Sequence, residues 1–151
     1  MVTLLLVGCA SAPTARLNAD YPDAKARIKR RLTEIFDAAE KKDLERLDGY
    51  HLYGPKFTKF APEAVGRLEA AAARKGEHDG LAPIKELSMQ ADELKIDVFG
   101  DFAIATFVSN YSFKAGGDTI KKQALATLVF VKDRGEWKIT HEHFSAAKSN
   151  P

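Results

Sequence analysis

From Ile84 onward the apolar residues recur at every second position, in long runs broken by Gly100-Asp101, Gly116-Gly117 and Asp133-Arg134-Gly135. A period of two sends successive side chains to opposite faces of a strand, and tight glycine turns join antiparallel neighbours. The second half of the chain therefore reads as a meander of four long strands. Within the first of them, Leu87, Met89 and Ala91 alternate in one phase and Leu94, Ile96 and Val98 in the other. The slip at Asp92-Glu93 predicts a bulge or tight bend that curls the sheet.

Upstream the period is helical. Ile28, Leu32, Ile35, Phe36 and Ala39 form one apolar stripe over residues 24–42, behind the start signal Pro22-Asp23. Asp43 is suited to cap a shorter helix carrying Leu44 and Leu47, and residues 57–60 read as a short extended piece. Pro62 predicts the start of a third helix that buries Val65, Leu68 and Ala72 and stops at Gly76. Helices followed by a strongly curved antiparallel sheet make the expected fold class α+β.

Two strands are apolar on both faces. Phe102, Ile104 and Val108 alternate with Ala103, Ala105 and Phe107, and Leu128 and Phe130 alternate with Leu125, Val129 and Val131. One face can pack on the helices; the other is expected to pair with a second copy of the chain. A net charge of +2 is too mild for the basic surface that nucleic acid demands. The run Lys25, Arg27, Lys29, Arg30, Arg31 sits opposite an apolar stripe and is followed by Glu34 and Asp37, so it reads as a solvated face.

The chain has one cysteine, Cys9, which ends the segment Leu4-Leu5-Leu6-Val7-Gly8 and precedes Ala10-Ser11-Ala12. A short apolar run ending in small residues is the pattern of an export signal at its cleavage site. Leu6-Val7-Gly8-Cys9 resembles the bacterial lipobox, which implies a lipid on Cys9 and a protein held at the cell envelope, facing the periplasm or the exterior. The alternative is a buried first strand with Cys9 in the core. The expected organisation is a signal over residues 1–8, a tether over 9–22, the domain over 23–146 and a tail over 147–151.

The last strand carries the residues most able to do chemistry. Alternation puts Trp137, Ile139, His141, His143 and Ser145 on one face, inward by the apolar character of the first two, with Lys138, Thr140 and Glu142 outward. His141 and His143 are the candidate acid and base, since imidazole titrates near neutrality; the other reading is that each closes the mouth of the fold through hydrogen bonds. A metal site is not expected, because no third ligand follows from the spacing, and no cofactor is implied. Tyr50-His51-Leu52-Tyr53 either borders the same opening or forms a surface aromatic cluster. The expected pocket lining is Trp137, Ile139, His141, His143, Tyr53 and Tyr111.

The stretch Gly135-Glu136-Trp137 … His141-Glu142-His143-Phe144-Ser145, with the order of helices before a curled sheet, resembles the SnoaL-like group of the nuclear-transport-factor-2-like superfamily. It is similar in particular to the calcium/calmodulin-dependent kinase II association domain. The resemblance implies a cone in which a bent sheet wraps a long helix around a pocket, and a dimer through the outer face of the sheet. An arginine that many relatives carry on the penultimate strand has no counterpart in Gln123-Ala124-Leu125-Ala126-Thr127-Leu128. An anionic ligand held by that route is therefore not expected. Three functions stay open: a lipid-anchored domain binding a small, mostly apolar molecule; an isomerase, cyclase or dehydratase using His141 or His143; and a homo-oligomerisation module with a vestigial pocket.

Overall fold

The computed structural model describes residues 17–147. The expected signal segment, Cys9, most of the expected tether and all but the first residue of the expected tail lie outside the described residues. Helix α1, Pro22–Lys41, opens with Pro22 in its first turn and buries Ile28, Leu32, Ile35, Ala38 and Ala39 along one stripe. It ends where Lys42 turns left-handed at φ 56 and donates its backbone N–H to Ala39 O at 3.1 Å. Asp43 then caps α2, Leu44–Gly49, its carboxylate accepting from Arg46 N at 3.2 Å. That bond satisfies one of the donors a helix start leaves free.

Strand β1, Thr58–Phe60, and the two-residue β2, Leu68–Glu69, pair antiparallel. Helix α3, Ala70–Leu81, follows directly. This departs from the helix expected to begin at Pro62. Leu68 pairs with Lys59 in the sheet, Val65 is fully exposed, and Ala73 is the residue α3 buries. The alanine run 70–73, not the proline, starts the helix. Gly76 lies inside it facing open space, a tolerable cost of about 1 kcal/mol against alanine.

Strands β3 (Lys85–Phe99), β4 (Phe102–Ala115), β5 (Asp118–Asp133) and β6 (Glu136–Ala146) form the expected antiparallel meander. The sheet is open and curved, in the order β2-β1-β6-β5-β4-β3, with β1 parallel to β6. The register of β3 shifts between Asp92 and Lys95, where Glu93 has φ 54, so the slip read from the sequence is a bulge. Leu87, Met89 and Ala91 before it and Leu94 and Ile96 after it all pack against the core. The inner face carries Ala103, Ala105, Phe107, Ala126, Leu128 and Phe130, with Phe107 meeting Phe36 of α1 edge-on at 6.0 Å.

Candidate functional site

A second bulge decides which side chains of β6 enter the fold. Ile139 stands opposite Phe130 and His141 opposite Val129, so Thr140 is an extra residue in the ladder. One inserted residue reverses the alternation. Trp137 and Ile139 are buried, at 3% and 0% exposure, but the next inward side chain is Glu142, also at 3%. His141 and His143 therefore turn to the outer face. This corrects the expectation that the two imidazoles follow Trp137 and Ile139 inward and that Glu142 points out.

On the outer face His141 stands between Thr58 of β1 and Val129 of β5, and His143 between Phe60 and Thr127. His141 Nδ1 lies 2.8 Å from Thr58 Oγ1, and the Phe60 ring lies 6.1 Å from His141 and 5.7 Å from the exposed His143. The same face presents Phe102 at 55%, Leu125 at 51% and Ile104 at 39% exposure.

Inside, Glu142 clusters with Lys59, His51 and Glu77, of which the sequence placed only His51 near the expected opening, within Tyr50-His51-Leu52-Tyr53. Lys59 is on β1 and Glu77 on α3, while His51 follows α2 and bridges to Ile139. His51 Nδ1 donates to the carbonyl oxygen of Leu47 at 2.9 Å, and Nε2 lies 3.1 Å from Glu142 Oε1. Both partners only accept, so both ring nitrogens carry protons and the ring is an imidazolium. Burial pulls the His51 pKa down, but Glu142 and Glu77 outweigh it and raise it to about 9. Burial likewise pushes Glu142 up, yet Lys59 and His51 lower it to about 2.

Lys59 Nζ joins the two carboxylates, 2.9 Å from Glu77 Oε1 and 2.7 Å from Glu142 Oε2. The second contact is an ion pair off the line of a conventional hydrogen bond. Burial opposes the charge on Lys59, and the two carboxylates more than restore it, raising its pKa. Tyr53 stacks on His51 at 4.9 Å and donates its hydroxyl to Glu77 Oε2 at 2.5 Å. Burial and the charge on Glu77 raise the Tyr53 pKa. The result is a neutral quartet of two cations and two anions that ties α2, β1, α3 and β6 together.

His51, Glu77 and Glu142 bring potential ligand atoms within 4.8 Å of one another. A divalent cation does not suit them as they stand. Lys59 already supplies positive charge to both carboxylates, and His51 has no free lone pair to donate. The quartet works as a brace: its donors and charges are spent on one another. Asp48 extends it outward, bonding His78 at 2.9 Å and Arg74 at 2.7 Å between α2 and α3. His78 is thus half-buried and paired.

The remaining expected pocket residues separate. Tyr53 is bonded to the quartet through Glu77, while Trp137 and Ile139 belong to the apolar core. Tyr111 lies half-buried on the inner face with its ring 6.4 Å from Phe113, and burial, helped by the charge on Glu63, raises its pKa. The structure does not bring these six side chains to one point. Phe144 held the missed signal: it is apolar in the phase of Glu142, not that of Ile139.

The SnoaL-like domain family matches residues 28–149. Among curated proteins none is similar enough in sequence to count as a relative. Among solved structures, a protein of the NTF2-like family from Streptomyces avermitilis, provisionally designated a dehydratase, is similar with a TM-score of 0.76 at 19% identity, covering 85% of this chain and 100% of that one. The S. rosetta CaMKII hub has a TM-score of 0.68 at 26% identity, covering 81% of this chain and 95% of its own. The association domain of C. elegans CaMKII has a TM-score of 0.70 at 23% identity, over 83% and 97%. A family match over most of the chain, on a curved open sheet behind N-terminal helices, makes this protein a member of the SnoaL-like domain family.

Proposed function

We propose that this SnoaL-like domain is a self-associating module, two copies joined through the outer faces of their sheets and held at the cell envelope by a lipid on Cys9. The observation that carries the reading is the row of exposed apolar side chains Phe102, Ile104, Leu125 and Phe60 across β4, β5 and β1. Soluble monomers rarely leave such a surface uncovered. Strands β4 and β5 are paired on both edges, so a partner can approach only face to face. Over the 11-residue length of β6, the four strands β3, β4, β5 and β6 present a face of about 700 Å². A stable dimer needs roughly 800 Å² per partner. Similarity to domains named for association and for a hub supports the same reading.

The outward turn of His141 and His143 removes the geometric basis for an acid–base pair inside the cone. A small apolar ligand there rests on the family resemblance alone. Envelope anchoring rests on Leu6-Val7-Gly8-Cys9. Sedimentation velocity at micromolar concentration tests the assembly: twice the chain mass is expected, and a monomer at every concentration reached would reject it. Cys9→Ala should move the protein from membranes to the soluble fraction; unchanged partition would sink the anchor.

A further inference from the structure

We infer that association through this face is controlled by pH, with His141 and His143 as the titrating groups: neutral rings permit the dimer and protonated rings oppose it. The inference rests on the outer face being the self-association surface. Both rings stand on that face, in the same rows as Val129 and Thr127, with Leu125 one row further. Covering the face with a second copy would take both imidazoles out of water. A neutral ring tolerates that, whereas an imidazolium without a counter-charge pays a desolvation cost.

Among the described residues none supplies a counter-charge to either ring. From β1 the neighbours are Thr58 and Phe60, and from β5 Val129 and Thr127. Glu69 of β2, opposite Thr58, is the nearest acidic residue in the register, and its Oε1 is engaged by Arg67 at 2.9 Å. Along β6 Lys138 stands on this face opposite Val131, and at the far end of the strand Glu136 is bonded by Arg31 of α1 while Asp133 of β5 is paired with Arg134 at 3.5 Å. Toward the far edge lie Lys95 paired with Asp97 at 2.8 Å, and Asp92 held by Gln90 and Asn110. The Thr58 hydroxyl fits either protonation state of His141, because it can donate to a bare Nδ1 or accept from a protonated one. Among the described residues no carboxylate contacts either ring, in contrast to His51.

Protons must leave both rings of both copies for the faces to meet, so acid weakens the dimer steeply. Imidazole as a class titrates between pH 5 and 8. The dissociation constant is therefore expected to rise by at least about a hundredfold from pH 8 to pH 5.5.

The test is sedimentation equilibrium of the full chain across that range, beside His141→Gln/His143→Gln and the single His143→Gln. Near-UV circular dichroism confirms folding at each pH. Expected is a wild-type dimer that dissociates in acid, a double variant that stays dimeric, and a single variant between them. If the double variant does not fold, His143→Gln, at an exposed position, carries the comparison alone. A wild-type dimer of constant affinity would overturn the inference and leave self-association standing. Equal acid dissociation of wild type and variants would overturn the assignment to these histidines. A monomer already at pH 8 would instead reject the dimer itself.

Discussion

His51 and His141 show what position in the fold does to one side chain. His51 is buried between a backbone carbonyl and a carboxylate, and both of its nitrogens must donate. Its charge is set by geometry and balanced by Glu142. His141, on the other face of the same sheet, bonds a hydroxyl that can play either part. Three consecutive residues of β6 make the division: His141 and His143 face out, and Glu142 between them faces the quartet. An interior polar group has to be satisfied by fixed partners, whereas a surface group keeps water as an alternative.

The largest effect should come from removing the charge inside. Glu142→Gln keeps the shape but leaves the His51 imidazolium and Lys59 ammonium with one carboxylate between them. A loss of about 3–5 kcal/mol is expected in urea denaturation, the cost of breaking a buried ion pair from one side. A loss under about 1 kcal/mol would mean that the inner cluster is no more constrained than the outer face.

On the outer face, Leu125→Glu places a carboxylate in the apolar row at a residue 51% exposed. Analytical ultracentrifugation should show the dimer weakened by at least about a hundredfold, close to 3 kcal/mol. Monomer stability should stay within about 0.5 kcal/mol, as for surface substitutions generally. A large fall in monomer stability would show that this face is part of the fold's own packing.

In the Leu125→Glu monomer, where association makes no contribution, stability against pH should report mainly the quartet. His51 has its folded pKa raised from 6.5 to about 9, so its contribution is complete below pH 6.5 and is lost as pH rises through 9. Glu142 has its folded pKa lowered from 4.5 to about 2, so its contribution is complete above pH 4.5 and is lost as pH falls through 2. Both shifts describe one pair and do not add. Stability should peak between pH 4.5 and 6.5 and fall by roughly 2 kcal/mol towards pH 9. The same alkaline loss in His51→Gln would detach it from this ring.

The smallest effect belongs to His143→Ala at the exposed end of β6. Its melting temperature should move by no more than about 3 °C, corresponding to at most about 0.5 kcal/mol. A shift comparable to that of Glu142→Gln would erase the distinction between the two faces.

The Asp92–Lys95 bulge of β3 and the bulge of β6 explain how far residue pattern reaches. In β3 the inserted residue leaves a visible mark, because Leu87, Met89, Ala91 and then Leu94, Ile96, Val98 are apolar on both sides of it. In β6 the residue that turns inward after Thr140 is a glutamate, and the two that turn outward are histidines. Hydropathy cannot register such a change of phase; Phe144 alone kept the inner pattern. The error then passed to every site residue downstream of the bulge.

Local patterns determined the helix–sheet order, the α1 stripe, the Asp43 cap, the meander with its glycine turns and the β3 bulge, because each depends on residues close together in sequence. The quartet depends on residues brought together from β1, α3, β6 and the segment after α2, with His51 and Glu142 separated by 91 positions. Their compatibility with burial comes from opposite charges meeting within about 3 Å, a condition that no single segment encodes. Only the tertiary structure could therefore decide that Glu142 belongs to the interior and that His141 and His143 belong to the surface.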